Sequence, residues 1–203
     1  MVYCGEGTVD LTTWTLLADN KLSEIIERTG DFCGSAYVDR EFVKYIASVI
    51  GNSAVRDVEE KHNTSLQHMI QQFRAKVKFE FDGERAKFTT KELDIENICP
   101  VLMQYIQGEE KELMEEAEWI IELDYETVKS FFDPVVERIL RLISTHLDKT
   151  RTTTTSIFLV GELSESRYLL KRVRSEFSSK VGTIAVPSEP ITAVVRGAVY
   201  YGT

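Results

Sequence analysis

The chain has 203 residues, 43% of them hydrophobic and 28% charged, which is enough apolar side chain for a buried core and speaks against a disordered chain. A net charge of −9 and a pI of about 5.0 leave no excess of Lys and Arg to follow a nucleic-acid backbone, while a nucleotide, needing only a few local donors, stays open. No apolar run approaches the ~20 residues of a membrane helix and no secretory leader precedes the three widely spaced cysteines, so reduced thiols, a cytoplasmic location and no membrane partner are expected.

Met1-Val2 leads straight into a strand, which reads as a chain that begins partway through a larger fold. A turn at Gly5-Glu6-Gly7-Thr8 follows, and then an alternating run from Val9 to Leu17 that reads as a strand. Asp19-Asn20 is a turn, and Lys21 to Phe32 is the next strand, ending at Gly30-Asp31. Helical spacing then sets in, with Tyr37, Phe42, Tyr45, Ile46, Val49 and Ile50 on one face and Gly51 as the stop.

Asn63-Thr64 is placed to cap a helix running through "SLQHMIQQFRAKV". "KFEFDGERAKFTT" reads as a hairpin about Asp82-Gly83. Cys99-Pro100 opens a helical piece that stops near Gly108. In "EEKELMEEAEWIIELDY" the Glu- and Leu-rich start favours helix, and "EWIIELDY" alternates as a strand.

Thr127 to Leu147 is the clearest helix, with Phe131, Val135, Ile139, Leu142, Ile143 and Leu147 in period and Pro134 as a kink or a second start. "RTTTTS" reads as a linker. "SIFLVGEL" reads as a buried parallel strand ending at Gly161, and "SESRYLLKRVRSEF" as the helix after it. "GTIAVP" is a short strand, and "EPITAVVRGAVYYG" a closing helix with small residues at Ala193, Gly197 and Ala198.

This order predicts an α/β fold whose core comprises residues 1–38 and 124–203, with an α+β subdomain inserted at 39–123. Two glycine bends share one logic. Gly5-Glu6-Gly7-Thr8, closed by Asp10, and Gly161-Glu162-Leu163-Ser164 both free backbone amides from an intervening Cβ, as a phosphate or a ring edge requires. Either bend alone is an ordinary turn or a packing glycine.

The pair gains weight from its surroundings, because five motifs in order resemble the second half of the nucleotide-binding domain of the 70-kilodalton heat-shock chaperones. That family belongs to the actin-like ATPases, with a ribonuclease-H-like core, and the chain looks closest to its divergent branch. "CGEGTVDLT" resembles the second phosphate motif, and "TGDFCGSAYVDREF" the segment leading into the lobe helix. "FFDPVVERI" resembles the returning helix, "IFLVGELSESRYLLKRV" the adenosine motif, and "VPSEPITAVVRGAVYYG" the closing segment.

The resemblance implies ATP or ADP with Mg²⁺ as ligand, and client proteins or co-chaperones as partners. It implies phosphate contacts from Gly5, Glu6, Gly7 and Thr8, with Thr8 and Asp10 ordering the nucleophile and Asp10 reaching the metal through water. Gly34 would lie near phosphate and ribose, Lys76 by the adenine and ribose, and Gly161, Glu162, Ser164 and Ser166 along the adenosine pocket. "GERAK" at Gly83 to Lys87 also resembles an adenine-contacting motif but is read as a decoy inside the hairpin.

Three departures mark the chain. Tyr3 stands where the family has a metal-shell aspartate, and Glu6 and Glu162 replace motif glycines. The family's first lobe, with its own phosphate loop, is not in the sequence. The expectation is therefore an ATP-binding lobe impaired in hydrolysis, with a non-catalytic scaffold as the alternative. Cysteine or metal catalysis has no constellation behind it. The acidic run Glu109 to Glu118 reads as a solvated face, and Trp14 and Trp119 read as packing residues.

Overall fold

The computed structural model describes residues 1–18, 21–150 and 153–201. The expected turn at Asp19-Asn20 and the start of the Arg151–Ser156 linker lie outside these residues. Contacts divide the chain into two units, Met1–Tyr37 with Asp133–Thr203, and Val38–Phe132. The divisions fall inside two long helices: α1 (Ser35–Ile50), and α6 (Tyr125–Lys149), which runs unbroken through Pro134.

The discontinuous unit is built on a five-stranded sheet in the order β3-β2-β1-β6-β7. Its strands are β1 (Val2–Cys4), β2 (Val9–Leu16), β3 (Leu22–Asp31), β6 (Ser156–Val160) and β7 (Thr183–Ala185). β2 runs antiparallel to β1 and β3, whereas β1, β6 and β7 are mutually parallel. Val2, Cys4, Val9, Leu11, Ile157 and Leu159 supply the buried side of the three central strands, as period-two alternation requires. The apolar run read as a buried parallel strand is β6, apart from the half-exposed Phe158.

The part of α6 from Asp133 on, α7 (Arg167–Phe177) and α8 (Ala193–Tyr201) belong to the same unit. Val136, Ile139, Leu140, Ile143, Leu169, Val173 and Phe177 bury the apolar stripes of α6 and α7, whereas Val194 and Val195 of α8 are exposed. Trp14, read as a packing residue, is 40% exposed and donates its indole N–H to Thr12 Oγ1.

His146 of α6 ties helix to sheet. Its ring nitrogens lie 2.8 Å from Thr13 Oγ1 and 2.7 Å from Thr29 Oγ1. Burial first, and neighbouring positive charge second, push the imidazole below its ordinary value. The folded state therefore keeps His146 neutral at pH values where the unfolded chain has begun to bind a proton. The stabilisation is full above the unfolded value of about 6.5 and falls as pH drops below it, by at most about 1.4 kcal/mol per pH unit. Urea midpoints at pH 7.5 and 5.5 should diverge in the parent protein, and by less in His146→Gln; an equal divergence in both would assign the acid sensitivity elsewhere.

The continuous unit contains α2 (Asn52–Lys61), α3 (Asn63–Phe73), the short α4 (Ile95–Ile98) and α5 (Glu109–Glu116). Its two-stranded sheet pairs β4 (Lys91–Asp94) with β5 (Ile120–Leu123), antiparallel. The stacked rings of Phe42 and Phe73, 4.1 Å apart, are met edge-on by Phe131. A second aromatic group joins Phe81, Phe88, Tyr125 and Phe132.

Two sequence expectations are corrected in this unit. Asn63 is not a cap but the first residue of α3, behind His62, whose side chain makes no capping bond. The expected hairpin at residues 78–90 is absent. Arg74–Lys78 continues α3 as a wide π-helical turn, and Phe81 N still donates to Val77 O at 3.0 Å. The alternation of Phe79 and Phe81 with charged residues suggested strands. What fixes the segment instead is an ion pair of Lys78 with Asp39, described below, and the burial of Phe81. The pairing strand lies further on, at β4.

Candidate functional site

At the carboxyl end of β1 the chain reverses in a tight turn, Gly5 N donating to Thr8 O at 2.9 Å. The Tyr3 ring covers Gly5, since a Cβ there would lie 2.7 Å from Tyr3 Cε1. α1 begins against the other side of the turn. Ser35 N donates to Gly5 O at 2.9 Å, Ala36 N to Glu6 O at 2.8 Å, and Gly34 N to Gly7 O at 3.3 Å. A Cβ on Gly34 would meet Glu6 O at 2.4 Å and Gly5 O at 2.5 Å, so this close approach requires glycine. The first amides of α1, which a helix start leaves without intrahelical partners, are thus consumed by the turn itself.

What the turn offers a ligand is narrower. Among the described residues, the amides of Gly7 and Thr8 donate to no protein acceptor. A Cβ on Gly7 would meet nothing within 4 Å, so this corner opens outward. Thr8 Oγ1 donates to Asp10 Oδ2 at 3.0 Å, which holds the two residues expected to be catalytic together on an exposed face. Asp10 lies over Gly30 of the neighbouring strand, where a Cβ would come within 2.6 Å of Asp10 Oδ1. Glu6, at the tip, is exposed.

The second bend abuts the first. Gly161, with φ of +92°, packs on Cys4; a Cβ there would fall 2.5 Å from the Cys4 carbonyl oxygen. β1 and β6 are adjacent and parallel, so both bends leave the sheet side by side at the carboxyl ends of strands, where open α/β sheets hold ligands. Glu162 is half-buried. Ser164 and Ser166 are 2% and 1% exposed. The Ser164 hydroxyl donates to Val160 O at 2.8 Å, and Ser166 Oγ caps α7 by accepting from Leu169 N at 3.2 Å. Both hydroxyls are committed to the fold.

Cys4 and Cys33 are buried, and burial raises their thiols to about 12 and about 11, which makes them poor nucleophiles at neutral pH. Two cavities of this unit, of about 610 and 980 Å³, are lined by neither the Gly5–Thr8 turn, Gly34 nor the Gly161–Ser166 segment.

Lys76 stands exposed on the wide turn Arg74–Lys78 of the continuous unit. Two residues further on, Lys78 is 1% exposed, its ammonium 2.9 and 3.0 Å from the two carboxylate oxygens of Asp39. Arg74 also reaches Asp39, at 2.8 Å. The sequence reading missed this triad. A carboxylate on the apolar side of α1 was its signal.

Among the described residues no group of three His, Cys, Asp or Glu side chains is placed to hold a metal ion. Mg²⁺ held mainly by phosphates and waters needs only one or two protein carboxylates. Asp10 fits that role for a hydrated ion, while the Tyr3 phenol stands where the resemblance expects a second carboxylate. Also among the described residues, no helix is long and apolar enough to cross a membrane. Compared with protein-family models and with curated proteins, the chain gives no match.

Proposed function

We propose that this chain is an actin-like, ribonuclease-H-like lobe of the 70-kilodalton heat-shock type, which receives the phosphate end of an adenine nucleotide with Mg²⁺ at the Gly5–Thr8 turn. The observation that carries this reading is the sheet order β3-β2-β1-β6-β7 with β2 alone reversed, because it sets the bends at Gly5 and Gly161 back to back at neighbouring strand ends. An adenine nucleotide with its hydrated metal supplies the labile phosphoanhydride and the charge neutralisation. The protein's part is positional: Gly7 and Thr8 amides donate to phosphate oxygens, and Asp10, held by Thr8, takes the metal's water shell.

Glu6 opposes this. A carboxylate ~4 Å from a phosphate oxygen is repelled by roughly 1 kcal/mol in water, and by about 4 kcal/mol at an effective dielectric near 20. Phosphoryl transfer depends on positioning and charge, so Glu6 and Tyr3 together impair turnover more than folding.

A second reading, a non-catalytic scaffold, is favoured by the Tyr3 ring over Gly5 and by the committed hydroxyls of Ser164 and Ser166. Titration calorimetry separates the two. Mg²⁺–ATP and Mg²⁺–ADP are expected to bind weakly, and Glu6→Gly to tighten both about tenfold or more, the equivalent of ~1.4 kcal/mol of relieved repulsion. Heat of dilution alone, from both proteins, leaves the scaffold. Clients or co-chaperones would be the partners of either form.

A further inference from the structure

The smaller cavity of the discontinuous unit, of about 610 Å³, lies between the Arg28–Asp31 end of β3 and the second half of α6. Arg138, Arg141, Thr145 and Lys149 line it from the helix. Their spacing of three, four and four residues sets them along one face. The chain as a whole carries a net charge of −9, so three cations gathered on one helix face are a local inversion of its charge.

Two of these cations are not absorbed by the fold. Arg138 is bidentate to Asp31, with Nη2 2.7 Å from Oδ1, and neutralises the one carboxylate of the lining. Arg141 donates only to a backbone oxygen, Glu137 O, at 3.3 Å. Among the described residues, no carboxylate pairs with Arg141 or Lys149. Arg28, at the far rim, is already paired with Glu24.

We propose that this cavity is a binding site for a small polyanion bearing two or more phosphates, held by Arg141 and Lys149 with Arg138 in support. The volume falls in the range of small-molecule sites, ~300–1,000 Å³, and exceeds what one phosphate needs. The guanidinium fork suits phosphate oxygens bidentately, and Lys149 adds a point charge. Carbonyls at the end of α6 disfavour an anion in its last turn, so the ligand centres toward Arg138 and Arg141, with Lys149 closing over it. No residue of the Gly5–Thr8 turn lines this cavity, although Gly30, which does, lies beneath Asp10; anion binding here does not require nucleotide at the turn.

The test is titration of the whole chain with inorganic tripolyphosphate in the absence of Mg²⁺, since the turn is proposed to take phosphates together with the metal. Saturable one-to-one binding is expected, weakened at least tenfold in Arg141→Gln/Lys149→Gln. It should change less than twofold in Lys44→Gln/Lys61→Gln, which removes the same charge elsewhere. All of these side chains are exposed, and melting curves matching the parent's would verify that each variant is folded. No saturable binding overturns the proposal. So does an equal loss in both double variants, which marks unspecific attraction. Tightening in Glu6→Gly without sensitivity to Arg141 and Lys149 also overturns it, by placing the anion at the turn.

Discussion

Asp39→Ala is expected to destabilise the protein by about 3–5 kcal/mol, because it removes the carboxylate that compensates a buried ammonium. Lys78 is 1% exposed and takes both Asp39 oxygens within 3.0 Å, so deleting the carboxylate leaves its charge in a site that excludes water. Native domains hold only about 5–15 kcal/mol in total, so this one change removes a large share. Lys78→Met should lose less, since Arg74, 30% exposed and 2.8 Å from Asp39, still answers the carboxylate. The double variant Asp39→Leu/Lys78→Met should recover much of the loss, because an apolar pair of similar volume needs no desolvation of ions. Urea denaturation of the three variants supplies the check. A loss under about 1 kcal/mol in Asp39→Ala would mean that Lys78 finds water or another acceptor when its partner is removed.

Gly161→Ala is expected to lower stability by about 2–4 kcal/mol and to weaken any nucleotide binding with it. At φ +92° and ψ 173° the backbone lies in a region that is essentially restricted to glycine, and occupying it with a side chain costs about 1–3 kcal/mol. The added methyl would also sit 2.5 Å from the Cys4 carbonyl oxygen, which is backbone and cannot swing aside, so β1 and β6 must part and carry the two bends with them. Gly7→Ala is the contrast. Nothing lies within 4 Å of its Cβ position, so its stability should stay within about 0.5 kcal/mol of the parent's. Thermal or urea melts of the pair decide the matter, and equal stabilities for Gly161→Ala and Gly7→Ala would refute the close packing of the bends.

Much of the architecture was legible because it rests on local periodicity. The stretches read as helices at Ser35–Ile50 and within Tyr125–Lys149, and as a strand at β2, have apolar spacings that one element type buries, and β6 was readable as a short apolar run ended by Gly161. The switch from acidic helix to strand in Glu109–Leu123 was also readable, since alternation begins where the Glu run stops. Residues 78–90 misled because charged and aromatic side chains alternate there. Lys78 counted as the polar side of a strand and proved to be the most buried lysine in the continuous unit. No local pattern announces that a lysine has a carboxylate 39 residues away. β4 was passed over because a four-residue strand carries little periodic signal, and α2 was passed over although Ala54, Val55 and Val58 mark a helical stripe.

By itself, the sequence determined the alternation of elements and the two glycine bends, because each is set by spacing or by the conformational freedom of single residues. Tertiary structure alone decided that Gly161 lies on Cys4 and that Gly34 seals the turn. It also decided that the hydroxyls of Ser164 and Ser166 turn inward and that three cations of α6 face a cavity. These are contacts between residues far apart along the chain, fixed by strand order and helix packing, and no window of sequence contains both partners.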